Sequence, residues 1–295
     1  MRSLKVLGST ALLAMLVAVF WLYGRPSGPT GASSLGETLW LTVNGLRLKT
    51  KIHESAKGNE HPVLVVVLHG DAPGLVLTPL PSRAYSRPSY QYRFALEASQ
   101  KIDNVVVAAI LRPGHTDDTG EHSEGRKGMS VGDNYTPEVV DAVAGAIDQL
   151  KMKFHPAATV LVGHSGGAAI TGDVIGRWPS EVNGALLVSC PCDVGSWRMH
   201  MFKKQVFPMW LWPVKSLSPL ALADKVAPSV HVRMVVGSKD DVTPVNLTEE
   251  YAEALRKRGD DVQVAIAPGL PHMMLLEPVA YEQLKELVQT IKGKG

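Results

Sequence analysis

The sequence predicts an α/β fold, a mostly parallel central sheet flanked by helices, and three observations carry that expectation. Val63–Leu68 and Val105–Ile110 are unbroken runs of apolar, largely β-branched residues, the composition of strands covered on both faces. Segments with helical spacing alternate with such runs, as in Val139, Val140, Val143, Ile147 and Leu150. Val160-Leu161-Val162 runs into Gly163-His164-Ser165-Gly166-Gly167 and then into small residues, which is how a strand turning sharply into a helix is written.

In chain order, residues 6–24 carry no charge and lie behind Arg2 and Lys5. That length suits a membrane-spanning helix or a long signal peptide. Phe20, Trp21, Leu22 and Tyr23 stand where a cleavage site needs small residues, which favours a retained anchor over residues 1–24. With Arg2 and Lys5 on the cytoplasmic side, the rest of the chain is expected to face out of the cytoplasm, periplasmic or extracellular. If the stretch is cleaved as a signal, the protein is secreted. Residues 25–36 are rich in Gly, Pro, Ser and Thr and read as a flexible linker, so the folded domain is expected over 37–295.

Asn44-Gly45 between two alternating segments predicts a hairpin, whose second strand sets Leu46, Leu48, Thr50 and Ile52 against Arg47, Lys49 and Lys51 and so has one wet face. A helix is expected over 90–102. The polar segment 115–135 is too long for a plain connector and is expected as a mobile loop over or beside the site. Its His115, Asp117, Asp118, Glu121 and His122 are read as loop polarity, with no metal site. Thr136-Pro137 marks a helix start. Further strands are expected over 185–189, 230–236 and Val262–Ala267, with helices over 248–258 and 278–291. Between two of those strands, residues 191–228 carry Trp197, Trp210 and Trp212 among Met and Phe, and predict a small apolar lid.

Composition narrows the function. A net charge of +2 with interspersed signs gives no basic field for nucleic acid, and 45% hydrophobic residues over 295 positions supply a full core. Cys190 and Cys192, one residue apart, are expected to be small buried hydrophobes rather than a disulfide, because their ring would be very small.

A serine hydroxyl needs an imidazole to take its proton and a carboxylate to orient that imidazole. Ser165 sits on the sharp turn, with Gly163 and Gly167 where a side chain would obstruct it and the Gly166 N–H at a helix N-terminus. Beyond a later strand come Asp240 and Asp241, which spacing alone does not separate. His272 follows the last strand, within Pro268-Gly269-Leu270-Pro271-His272.

The order Ser, Asp, His, the Gly-x-Ser-x-Gly turn, the Gly237-x-x-Asp240-x-x-x-Pro244 segment and the Pro-Gly-x-x-His segment together resemble the α/β-hydrolase family from about Thr38 onward. The resemblance implies Ser165 as nucleophile, Asp240 as acid and His272 as base. It also implies an oxyanion hole from the N–H groups of Asp71, after His69-Gly70, and Gly166. Ser218-Pro219 and Gly237-Ser238-Lys239-Asp240-Asp241 are similar to the prolyl-oligopeptidase-like branch, although the length leaves no room for a propeller. The chain is therefore expected to be a serine hydrolase cleaving an ester, thioester or amide of a small apolar acyl group, with no cofactor or metal. A non-catalytic binding domain and an acyltransferase are the alternatives. Substrate-binding residues and oligomeric state are not legible.

Overall fold

The computed structural model describes residues 36–58, 61–71 and 89–293. The expected anchor and nearly all of the expected linker lie outside these residues, as does the segment following Asp71. Among the described residues, no helix is long and apolar enough to cross a membrane.

Eight strands form one sheet: β1 Glu37–Val43, β2 Leu46–Glu54, β3 Val63–Leu68, β4 Val105–Ile110, β5 Ala158–His164, β6 Gly184–Val188, β7 His231–Gly237 and β8 Val262–Ala267. Their spatial order is β1-β2-β4-β3-β5-β6-β7-β8. β1 and β2 pair antiparallel through Asn44-Gly45, both at positive φ, and β2 is antiparallel to β4. Every other pairing is parallel.

The β3 run is apolar throughout because both faces are covered. Leu64, Val66 and Leu68 pack into one core layer, with helices α2 Pro137–Phe154, α3 Gly166–Arg177 and α5 Val245–Arg256. Val63, Val65 and Val67 pack into the other, with α1 Tyr90–Lys101 and α6 Pro278–Lys292. Period-two strands thus feed two separate cores. Between β6 and β7 the chain forms α4 Val194–Gln205 and two short 3-10 helices, Pro208–Leu211 and Pro219–Lys225.

Three expectations are corrected. The second hairpin strand is wet only at Arg47 and Glu54: Lys49 and Lys51 are buried along with Leu48, Thr50 and Ile52. The polar segment after β4 folds over that face and supplies counter-charges, with Lys49 Nζ paired to Asp117 and Glu121, while Lys51 Nζ donates to Thr38 Oγ1 at 2.6 Å. The same contacts anchor this segment, expected as a mobile loop, at Asp117 and Ser123, while much of the rest stays exposed. Asp117 is fully buried and also accepts from Thr119 Oγ1 at 2.6 Å, and the Lys49 N–H donates to Ser123 Oγ. Cys190 and Cys192 are joined by a disulfide. A bend of the chain between them brings their Cα atoms to 5.1 Å, within the span that a bridge tolerates.

Candidate active site

Ser165 lies between β5 and α3 at φ 53°, ψ −121°, a strained conformation that turns the side chain away from the strand axis. Glycines make the turn possible. A Cβ on Gly163 would stand 2.3 Å from the Gly167 carbonyl oxygen, and one on Gly167 would stand 2.4 Å from that of Leu68. The Ser165 N–H donates to the Val188 carbonyl at 2.9 Å, tying the turn to β6.

His272 follows β8 and Asp240 follows β7, so parallel strands deliver both to the rim where β5 ends. The Ser165 hydroxyl lies 2.9 Å from His272 Nε2, and His272 Nδ1 lies 3.0 Å from Asp240 Oδ2. With Nδ1 donating to the carboxylate, Nε2 is left to accept from the serine. Asp240 is buried, and its Oδ1 accepts from the Val242 and Thr243 amides at 3.0 and 2.8 Å, its Oδ2 from the Thr243 hydroxyl at 2.7 Å. Burial would raise its carboxyl, but His272 and the Thr243 donors outweigh burial and hold it at about 2. The neighbouring Asp241, equivalent to it by spacing, is mostly exposed and pairs with Lys204 at 2.5 Å. Gly237 allows the two loops to meet, since a Cβ there would lie 2.1 Å from the Leu270 carbonyl oxygen.

Asp71 follows β3 beside the serine turn: a Cβ on Gly166 would lie 2.7 Å from Asp71 Oδ1. The sequence-picked residues therefore converge on one rim. Ser165, His272 and Asp240 join through hydrogen bonds, and Asp71 packs against Gly166.

A sequence model described as the alpha/beta hydrolase family matches residues 65–225, more than half of the chain. The chain belongs to the alpha/beta hydrolase family. This hydrolase resembles, in fold, an esterase of Pyrococcus furiosus at 18% identity and a TM-score of 0.60, the match covering 92% of this chain and 97% of the other. It is also similar to Est1E of Butyrivibrio proteoclasticus, solved with ferulic acid bound, at 13% identity and a TM-score of 0.65, covering 86% and 99%. A proline iminopeptidase of Mycobacterium smegmatis matches at 13% identity and a TM-score of 0.61, covering 87% and 98%. No curated protein matches the sequence.

Around these residues the hydrolase has a supporting layer. The Gly70 N–H donates to Tyr90 Oη at 2.5 Å, and Tyr90 Oη lies 2.8 Å from His164 Nδ1. With the tyrosine hydroxyl donating to Nδ1, His164 Nε2–H donates to the His272 carbonyl at 3.0 Å. Ser189 Oγ donates to the same carbonyl at 3.0 Å. One buried relay thus links the loop after β3 to the backbone of His272. Burial, with His272 nearby, holds His164 at about 3, so it stays neutral and can play this part. Asp71 is held from the side: Arg112 Nη1 lies 3.0 Å from its Oδ1, and the Tyr135 hydroxyl donates to its Oδ2 at 2.8 Å. His69 Nε2 accepts the Arg112 N–H at 3.0 Å, which leaves Nδ1–H to donate to the Gly70 carbonyl at 2.6 Å. Nothing in the local pattern marks Arg112, Tyr90 or Tyr135.

Proposed function

We propose that this member of the family is a serine hydrolase that cleaves an ester, thioester or amide through an acyl-enzyme. Ser165 attacks the carbonyl carbon, and His272 Nε2 takes the hydroxyl proton and returns it to the leaving group. Asp240 keeps Nδ1 protonated and stabilises the imidazolium. The N–H groups of Asp71 and Gly166 receive the oxyanion, Gly166 with the help of the α3 N-terminus. Water, activated by the same imidazole, then releases the acid. The observation that carries this reading is the continuous chain from Ser165 Oγ through His272 to Asp240, at 2.9 and 3.0 Å.

A small apolar acyl group is the proposed substrate class, from the aromatic and Met content of residues 191–228. The tether proposed from the uncharged N-terminal stretch would hold the domain outside the cytoplasm; it rests on the sequence alone. Assay of a panel of acyl esters, thioesters and amides tests the chemistry. At least one should be turned over, with Ser165→Ala lowering kcat by about six orders of magnitude. Turnover undiminished in Ser165→Ala would overturn the assignment.

A further inference from the structure

Among the described residues, nine large hydrophobic side chains are exposed, and five of them (Met199, Val206, Phe207, Leu211 and Trp212) fall within α4 and the turn that follows it. Trp212 is 58% exposed and Leu211 51%. With Met199, Trp210 and Val214 they line an open concavity of about 360 Å³.

Loose packing does not account for this exposure, because the segment is fixed from behind. The buried Arg198 donates to the carbonyls of Trp210 at 2.8 Å and Trp212 at 2.5 Å, and to that of Val131. Trp197 Nε1 donates to the Val242 carbonyl at 2.9 Å, and the Trp210 indole to Gln205 Oε1 at 2.8 Å. A buried cation therefore holds a short 3-10 helix whose outer side chains face solvent. Such a patch on a rigid support marks an interaction surface.

Charge indicates the partner. From Asp193 to Lys225 the sequence has five basic residues, Arg198, Lys203, Lys204, Lys215 and Lys225, against two acidic ones, Asp193 and Asp224, which lie at its ends. Asp193 caps α4 itself, accepting from the Gly195 and Ser196 amides, and the other nearby acids come from outside the segment: Asp241 pairs with Lys204, Glu138 faces Lys215, and Asp133 accepts from the Met129 and Val131 amides. Exposed Lys203 and Lys215 thus flank a Trp, Leu, Phe and Met surface, the pairing of apolar anchors and cations that suits the headgroup region of an anionic bilayer. The patch is also tied to the candidate active site. The Leu217 N–H donates to the Tyr135 carbonyl, Tyr135 holds Asp71, and Val242 lies two residues beyond Asp240.

We propose that the face formed by Met199, Phe207, Leu211 and Trp212, rimmed by Lys203 and Lys215, docks on the surface of an anionic lipid bilayer. Docking sets the catalytic rim beside the membrane whether or not the chain is also tethered, and it does not depend on the chemistry proposed above.

Leu211→Cys in the full-length protein tests it, since both native cysteines are in the disulfide and an environment-sensitive fluorophore such as NBD would attach at position 211 alone. On vesicles of phosphatidylcholine containing phosphatidylglycerol, the probe emission should rise severalfold and shift to the blue. On phosphatidylcholine alone it should stay as in buffer. Lys203→Gln with Lys215→Gln should lower the docked-to-free ratio roughly 30-fold, at about fivefold per lysine. Unchanged emission on the anionic vesicles would overturn the proposal. So would an equal response on both vesicle types, or a lipid-independent response that grows with protein concentration, which would make the occupant a second copy of the chain. Thermal unfolding of the labelled and Gln variants should match the parent, because all three positions are at the surface.

Discussion

Three buried imidazoles make this fold sensitive to mild acid. Burial, with His272 nearby, holds His164 at about 3, and burial with the Arg112 charge holds His115 at about 3. Burial, with His115 and Arg112 adding to it, pushes His69 well below the ordinary histidine value. In the unfolded chain each imidazole takes up a proton near pH 6.5, whereas the native state takes none until far lower pH. Folded pKa values that are depressed give stability that is complete above about pH 6.5 and is lost as the pH falls toward the folded values. Asp173 acts in the opposite sense. Burial raises its carboxyl well above the usual range, so the native state keeps this proton to higher pH than the unfolded chain does and offsets part of the imidazole effect. The net difference between the four groups is then between two and three protons. At about 1.4 kcal/mol per proton per pH unit, unfolding free energy should fall by about 3 kcal/mol per unit between roughly pH 6 and 5. That is a large part of the 5–15 kcal/mol typical of a folded domain. Urea unfolding followed by circular dichroism at a series of pH values measures the slope, and His164→Asn should reduce it by about one proton. Stability that stays level down to pH 4.5 and falls only in the carboxylate range would mean that the fold does not hold these imidazoles neutral.

Asp240→Asn should lower kcat by about four orders of magnitude while leaving the fold intact, because an amide no longer holds the Nδ1–H tautomer of His272; steady-state turnover against unfolding curves checks both halves. Since Asp240 is held at about 2, it remains ionised through any assayable range. The acid limb of a pH–rate profile should therefore belong to another group and persist, at the lower rate, in Asp240→Asn, and a limb that vanished in that variant would contradict the assignment. Lys49→Met strands the buried Asp117 carboxylate, and chemical denaturation should show a loss of about 3–5 kcal/mol.

What the sequence made legible and what it hid follow from the physics of each signal. β3 and β4 were plain because a strand covered on both faces must be apolar at every position, and the serine turn was plain because steric contacts under 2.5 Å force glycine at 163 and 167. Asp240, by contrast, could be told from Asp241 only by family pattern; what separates them is burial and the donors of Val242 and Thr243, which arise only once the loop has folded. The hairpin misled for a related reason. Lys49 and Lys51 read as solvent-facing on a local pattern, while the carboxylates that bury Lys49 lie about seventy residues further along the chain. Tyr90, Arg112 and Tyr135 were invisible because each acts through a long-range partner, and a tyrosine on a helix or at its start looks the same whether it packs or supports a site. The Cys190–Cys192 bridge was misjudged from ring size, when the deciding quantity was the separation that the backbone sets between the two Cα atoms.

The central claim is that His272 activates Ser165 as a nucleophile on this rim. Incubation of the full-length protein with a fluorophosphonate probe, followed by peptide mapping, tests it most directly. A single phosphonylated residue, Ser165, is expected, with labelling abolished in Ser165→Ala and slowed by several orders of magnitude in His272→Ala. A folded protein that takes up no probe, or that is labelled at the same rate without His272, would contradict it.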